Sequence, residues 1–428
     1  MTFNNDYQSW LGWSRSGRRT RATATPRSTL RPRLEELEDR TLPSNLFAAT
    51  VLQLIHDINA ANNAGGTNTI TLAANATFTF TKVDDTTDGA TGLPPISAGD
   101  ALTIVGNGDT IERSTTSGTP AFRLFDVASG ASLTLESLTL PNGLAFGSGS
   151  SSEGGAAFNQ GTLTLSGVTV QDNLASGANG MDGTKNHPNG TTGENAFGGG
   201  IYSNGALTVE NGSVIQNNSA VGGDGGSAYL PNSNSFGGEG GSAWGGGLYA
   251  AGSGTISGDS VLGNLAAAGN PGLRGAFQAF ALGGGIFVLP TSTVTLSNDI
   301  VESNAVTAPG AGVAIEAWGG GIFIDQDALH PSNGTVTLIN DVVDDNTASA
   351  GAGIFIFGTN TVTLCNDTVE LNTAASSAGG IAINEGLGSP ITVFIDSFTV
   401  ANTINNTDSS GLNGSTANID GTYIFQNC

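Results

Sequence analysis

Short runs in which apolar and polar residues alternate recur along most of the chain. Leu163-Thr164-Leu165, Leu207-Thr208-Val209, Val294-Thr295-Leu296, Val336-Thr337-Leu338 and Val362-Thr363-Leu364 each set an aliphatic face against a threonine face, which is the period of a β-strand. A second run follows each of them and ends on asparagine: Val170/Asn173, Ile215/Asn218, Val261/Asn264, Val301/Asn304, Val343/Asn346 and Val369/Asn372. A third precedes them and begins with glycines, as in Gly198-Gly199-Gly200-Ile201-Tyr202, Gly245-Gly246-Gly247-Leu248-Tyr249, Gly283-Gly284-Gly285-Ile286-Phe287 and Gly319-Gly320-Gly321-Ile322-Phe323. Looser copies begin at Gly154, Gly351 and Gly379. Three short strands and three corners per unit predict one coil of a parallel β-helix.

The residue types follow from that geometry. Aliphatic side chains stack into internal columns while threonine faces out. Asn173, Asn218, Asn264, Asn304, Asn346 and Asn372 are expected to form a ladder whose amides bond the coils above and below, with asparagine accepting the left-handed conformation of a tight corner. The glycines permit positive φ or close backbone approach. Residues 67 to 144 carry the same alternation (Thr69-Ile70-Thr71-Leu72, Leu102-Thr103-Ile104, Leu133-Thr134-Leu135) and read as the first coils. Before them, Val51, Leu54, Ile55 and Ile58 have helical spacing, with Gly65-Gly66 as a stop. A helix over about residues 50 to 63 would cap the open apolar end that a solenoid must cover. The expected fold is therefore all-β, a right-handed parallel β-helix with one N-terminal capping helix. Counted from Leu102 to Thr392, about nine coils stacked at ~4.8 Å make a rod of roughly 40 Å.

What varies is the insert between each asparagine corner and the next glycine run: 174 to 196, 219 to 243, 265 to 281, 305 to 317, 347 to 350 and 373 to 378. Inserts that leave the same corner emerge on one side of the rod, where solenoids usually bind. Their Gly/Ser/Asn/Ala content predicts adaptable rather than preorganised surfaces.

Charge divides the chain in two. Residues 1 to 45 hold eight basic and five acidic residues, a net of +3; the remainder holds five basic against 31 acidic, a net of −26. So acidic a body lacks the basic patch that nucleic acid requires. The Arg-rich start has no apolar core after it, and no stretch approaches the ~20 apolar residues of a membrane helix. The expected organisation is a basic, export-associated segment over 1 to 45 and a single β-helix domain over 46 to 428. Two cysteines build no disulfide framework: Cys365 is expected to pack as a free core residue, and Cys428 has no evident partner.

Little catalytic chemistry is visible. The cations of the body are Lys82, Arg113, Arg123, Lys185 and Arg274, none in a repeat strand beside an acidic pair of the regular coils. The best carboxylate group is Asp341, Asp344 and Asp345, with Glu302 and Glu370 one coil to either side. It reads first as a solvated acidic face, second as a weak Ca²⁺ site and third as a hydrolase centre. His56, His187 and His330 have no metal-ligand spacing, and the glycine runs lack the Lys-Ser/Thr and following helix of a phosphate loop. Aromatics flank the glycines; most are expected to pack, while Trp244 and Trp318, at the insert bases, are the candidate glycan contacts.

Two resemblances accompany this reading. Residues 31 to 44, Arg31-Pro32-Arg33-Leu34-Glu35-Glu36-Leu37-Glu38-Asp39-Arg40-Thr41-Leu42-Pro43-Ser44, resemble the LEPR-XLL-like N-terminal element of large extracellular proteins of planctomycete bacteria. Leu93-Pro94-Pro95-Ile96, residues 102 to 108, residues 122 to 127 and the glycine repeats look like bacterial surface proteins of the choice-of-anchor and polymorphic outer-membrane type, though Val-x-x-Asn stands where the latter have Phe-x-x-Asn. The resemblance implies export or surface placement. The expected function is a non-enzymatic, adhesin-like or envelope-structural β-helix that binds polysaccharide or envelope components through one-sided glycine-rich loops. A polysaccharide lyase or hydrolase on the same scaffold is the alternative.

Overall fold

The computed structural model describes residues 44 to 428 apart from 233, 277–278, 290–292, 310–316, 326–333, 359–360, 385–391 and 409–417. The chain divides into two units, Met1–Arg40 and Thr41–Cys428. The basic segment lies, up to residue 43, outside the described residues. The second unit is a parallel β-helix built from 20-, 12- and nine-stranded sheets.

The largest sheet holds two columns of strands, and register explains why the aliphatic pattern repeats. Leu163 lies beside Leu207, Leu296 beside Leu338 and Val362 beside Val393. In the second column Val170, Ile215, Val261, Val301, Val343 and Val369 follow one another in register. These side chains are almost completely buried and belong to one continuous core. A slip of one residue would turn an entire column to solvent, so the repeat fixes the stacking. The nine-stranded sheet carries the strands that follow the glycine runs, with Ile201, Leu248, Ile286, Ile322, Ile354 and Ile381 stacked inward.

The array is longer than the alternating pattern indicates. Gly66–Leu72 forms the strand expected at Thr69-Ile70-Thr71-Leu72, ahead of the nine coils counted from Leu102; Ser44–Ala48 adds a strand before it, and Ile424–Phe425 adds one after the last. The helix runs Val51–Ala64, with Thr50 Oγ1 accepting from the Gln53 amide and Gln53 Oε1 accepting from the Ala49 amide. Leu54, Ile58 and Ala61 are buried against the first strands, and Gly65 ends the helix at φ +62°.

Gly319-Gly320-Gly321 shows what each repeat glycine is for. The first takes φ +67°; a Cβ on the second would strike the Thr347 carbonyl; a Cβ on the third would lie 2.9 Å from Asn346 Nδ2. The third position thus makes room for the ladder amide. That ladder is continuous, each Nδ2 donating to the next Oδ1 from Asn173 through Asn218, Asn264, Asn304 and Asn346 to Asn372 at 2.9–3.0 Å, and onward to Asn406. The left-handed turn at this corner belongs to the preceding residue, not to the ladder asparagine: Asp172, Asn217, Gly263, Ser303, Asp345 and Leu371 all have positive φ. The ladder asparagines are selected for their amides alone.

The expectation of a free Cys365 does not hold. Cys365 and Cys428 form a disulfide, with Cα atoms 5.9 Å apart and a sequence separation of 63. It ties the chain terminus to the strand Thr361–Cys365.

Candidate functional site

The first three inserts leave the rod from equivalent strands, Leu174–Gly177, Ser219–Val221 and Leu265–Ala267, which pair in register within the 12-stranded sheet. Beyond that sheet they are ordered, contrary to the adaptable loops their composition suggests. Glycine recurs every third residue at 177, 180 and 183, at 190 and 193, at 223 and 226, at 238 and 241, and at 269, 272 and 275. A period of three is that of the polyproline II helix, which makes no internal hydrogen bonds and leaves every backbone group free for neighbours.

Those groups are used between segments with the same period. Gly223 and Gly226 donate to the carbonyls of Glu194 and Thr191, Gly238 and Gly241 to Gly226 and Gly223, and Gly269 and Gly272 to Gly241 and Gly238, all at 2.7–2.9 Å. Gly180 and Gly183 donate across to Asp224 and Ser227 of the next insert, and Gly190 and Gly193 to Phe236 and Glu239. Other amides are met by side chains: Asn179 Oδ1 accepts from Asp224, Asp182 Oδ1 from Ser227, Asn195 Oδ1 from Ser242 and Asp224 Oδ1 from Asn270. Glycine is obligatory on the inward side, because a Cβ at Gly226 or Gly238 would overlap the Met181 or Thr191 carbonyl. The three inserts form one hydrogen-bonded bundle projecting from the rod.

At its far end the bundle turns through 184–189 and 229–232, and past Leu273. Met181, Leu230, Phe236 and Leu273 are 73, 54, 66 and 60% exposed there. Lys185, His187 and Arg274 are also exposed in these turns, and Arg274 Nη1 donates to the Asn232 carbonyl at 2.9 Å. The tip is an apolar surface with cations, on a body otherwise dominated by carboxylates.

The candidate glycan contacts lie at the opposite end of the bundle. Tyr202, Tyr249, Phe287, Phe323 and Phe355 stack in a column with centroids 4.9–5.5 Å apart. Trp244 stacks on Phe287 at 5.4 Å and Trp318 on Phe355 at 5.1 Å. Both indoles are half-buried members of this aromatic cluster, separate from the aliphatic core.

The carboxylates divide differently from their order in sequence. Glu302, Asp344 and Glu370 do share one register on adjacent strands, and Asp345 is exposed at the left-handed corner. Asp341 is not part of that face. It belongs to a buried ladder of Asp259, Asp299, Asp341 and Asp367 in which each Oδ1 accepts the backbone amide of the ladder residue one coil earlier, Ser213 being the first, at 2.7–2.9 Å. Burial pushes Asp299 up to about 6, Asp367 to about 7 and Asp341 to about 8. An aspartate before a strand reads as an ordinary turn residue, so the sequence gives little sign of this ladder beyond its recurrence.

One cation outside the repeat strands sits among acids of the early coils. Arg123 is buried, donates to the Asp88 and Ser150 carbonyls, lies 4.8 Å from the Phe158 ring centroid, and is in the field of Asp126 and Glu153. Burial pushes Asp126 up to about 6 despite the opposing effect of Arg123. With no exposed surface, Arg123 cannot touch a polymeric substrate; its hydrogen bonds pin two loops over the early coils. His56 is exposed 3.1 Å from Asp57, and His330 lies outside the described residues. Among the described residues, no group of three or more His, Cys, Asp or Glu is placed to hold a metal ion, and no helix is long and apolar enough to cross a membrane. No family model, curated protein or solved structure matches the chain.

Proposed function

We propose that this protein is an exported, non-enzymatic β-helix that serves attachment, as an adhesin-like or envelope-structural component, and that the projecting glycine bundle is its binding element. The observation that carries the reading is the bundle's preorganisation. Three inserts share one backbone hydrogen-bond network and hold an apolar, cation-bearing tip away from the rod, and a rigid surface loses less entropy on binding than a loop does. The Cys365–Cys428 disulfide supports export, since such bonds persist in oxidising compartments. The resemblance of residues 31 to 44 to the element of planctomycete extracellular proteins points the same way. For a glycan or envelope polymer, the tip offers a more open surface than the stacked Trp244 and Trp318.

The test is incubation of the purified protein with acidic and neutral polysaccharides and with isolated cell envelopes, scoring retention together with new reducing or unsaturated ends. Retention without new ends, lowered about ten-fold by Phe236→Ser with Leu273→Ser, is the expected result. New chain ends would make the protein an enzyme; retention indifferent to the tip substitutions would remove the bundle from the mechanism.

A further inference from the structure

We infer that the bundle tip docks on the acidic flank of a second copy of this chain. The inference rests on the tip being the attachment surface and names one partner for it. Two exposed patches on the same molecule are each incomplete, and each supplies what the other lacks. The tip places the cations Lys185 and Arg274 among Met181, Leu230, Phe236 and Leu273. The flank places Glu302, Asp344 and Glu370 in one register, bordered by Ile300, Leu371 and Ile404, which are 41, 51 and 39% exposed.

Among the described residues, neither set of charges is neutralised. The one salt-bridge contact among the described residues is His56–Asp57, so no described carboxylate pairs with Lys185 or Arg274 and no described cation pairs with the flank. Burial raises the pKa of Asp344, a hydrogen bond from the Asp345 amide opposes the rise and the Asp345 charge adds to it, and Asp344 Oδ1 is buried without a hydrogen-bond partner. Among the described residues the flank stays open to solvent, with Glu302 exposed and Asp344 and Glu370 half-buried, and the inserts that follow Asp344 and Glu370 are short, Thr347–Ala350 and Thr373–Ser377.

The bundle's backbone bonds hold the tip over its own coils, 169 to 282, whereas the flank lies on coils 300 to 404. Once a tip meets a neighbour's flank, a further tip and flank remain, for a reciprocal contact or for onward growth. The body's net charge of −26 repels at long range. At about 0.15 M salt, however, screening confines that repulsion to roughly 8 Å, and contact charges decide.

Sedimentation velocity on the full-length oxidised protein at about 0.15 M salt tests this. Expected is a mass above the monomer's 42.8 kDa that rises with concentration. Lys185→Glu with Arg274→Glu, or Glu302→Lys with Glu370→Lys, weakens association about ten-fold or more by opposing like charges, and joining all four substitutions restores it. Phe236→Ser, which changes no charge, must weaken it too, with circular dichroism and melting unchanged in every variant. A monomer at all concentrations, association indifferent to either reversal, or a quadruple variant that fails to recover would overturn the inference. A monomer whose tip variants still lose polysaccharide retention would overturn self-association while leaving the attachment role intact; loss of neither property on tip substitution would overturn both.

Discussion

At the scale of single residues, the buried aspartates set how the fold responds to pH. Asp299, Asp341 and Asp367 have folded pKa values of about 6, 8 and 7 against an ordinary 3.8, because burial disfavours the charged carboxylate. A raised carboxyl pKa means that the folded state holds protons which the unfolded chain has already released. The stabilisation is complete below about pH 4 and is lost as pH rises through about 6 to 8. The melting temperature should therefore fall by several degrees between about pH 5 and pH 8.5, the reverse of acid denaturation driven by salt-bridged carboxylates. Asp341→Ser should flatten that slope. Ser213 already occupies an equivalent place in an earlier coil, where its Oγ accepts the Val168 amide at 3.0 Å, so the ladder tolerates the exchange. A melting temperature that rises over the same interval would show these carboxylates to be ionised in the fold.

At the scale of elements, the terminal coil depends on a covalent tie. Ile424–Phe425 is a two-residue strand with both side chains exposed, 51 and 66%, and little burial holds it to Thr392–Ile395. Closing a loop of 63 residues restricts the unfolded chain by about 4 kcal/mol in the chain-entropy model. Reduction, or Cys428→Ser, should lower the melting temperature and expose the segment after residue 396 to protease while the central coils persist. The repeat strands and the capping helix are legible in the sequence because each rests on local periodicity: two residues for Leu163-Thr164-Leu165, between three and four for Val51, Leu54, Ile55 and Ile58. Elements that rest on distant partners are less so. Ser44–Ala48 follows Pro43 and offers too short an alternation to mark a strand, and two cysteines 63 residues apart carry no pairing signal. The bundle lies between these cases. Its glycine period of three is present at 177, 180 and 183, but only the backbone of neighbouring inserts shows why a side chain is forbidden there.

At the scale of the whole β-helix unit, a one-dimensional repeat becomes a sided object. The Asn173-to-Asn372 and Asp259-to-Asp367 ladders satisfy buried backbone amides coil after coil, which lets the corners stay uniform while the inserts differ in length. Long inserts in the earlier coils make the bundle, while among the described residues the later coils present the acidic flank, so the two halves of one solenoid present opposite chemistry. Preorganisation of the bundle is the property on which its binding role depends, and it is measured most directly by hydrogen exchange at the amides of Gly180, Gly226, Gly238 and Gly272. Gly180, Gly226 and Gly272 donate between inserts and Gly238 across its own insert to the Gly226 carbonyl, all at 2.7–2.9 Å. A bonded bundle predicts that these amides exchange slowly, as those of the rod strands do, and that Gly238→Val makes all four exchange fast while the 20-stranded sheet stays protected. Exchange of the four wild-type amides at the rate of an unstructured chain would contradict it.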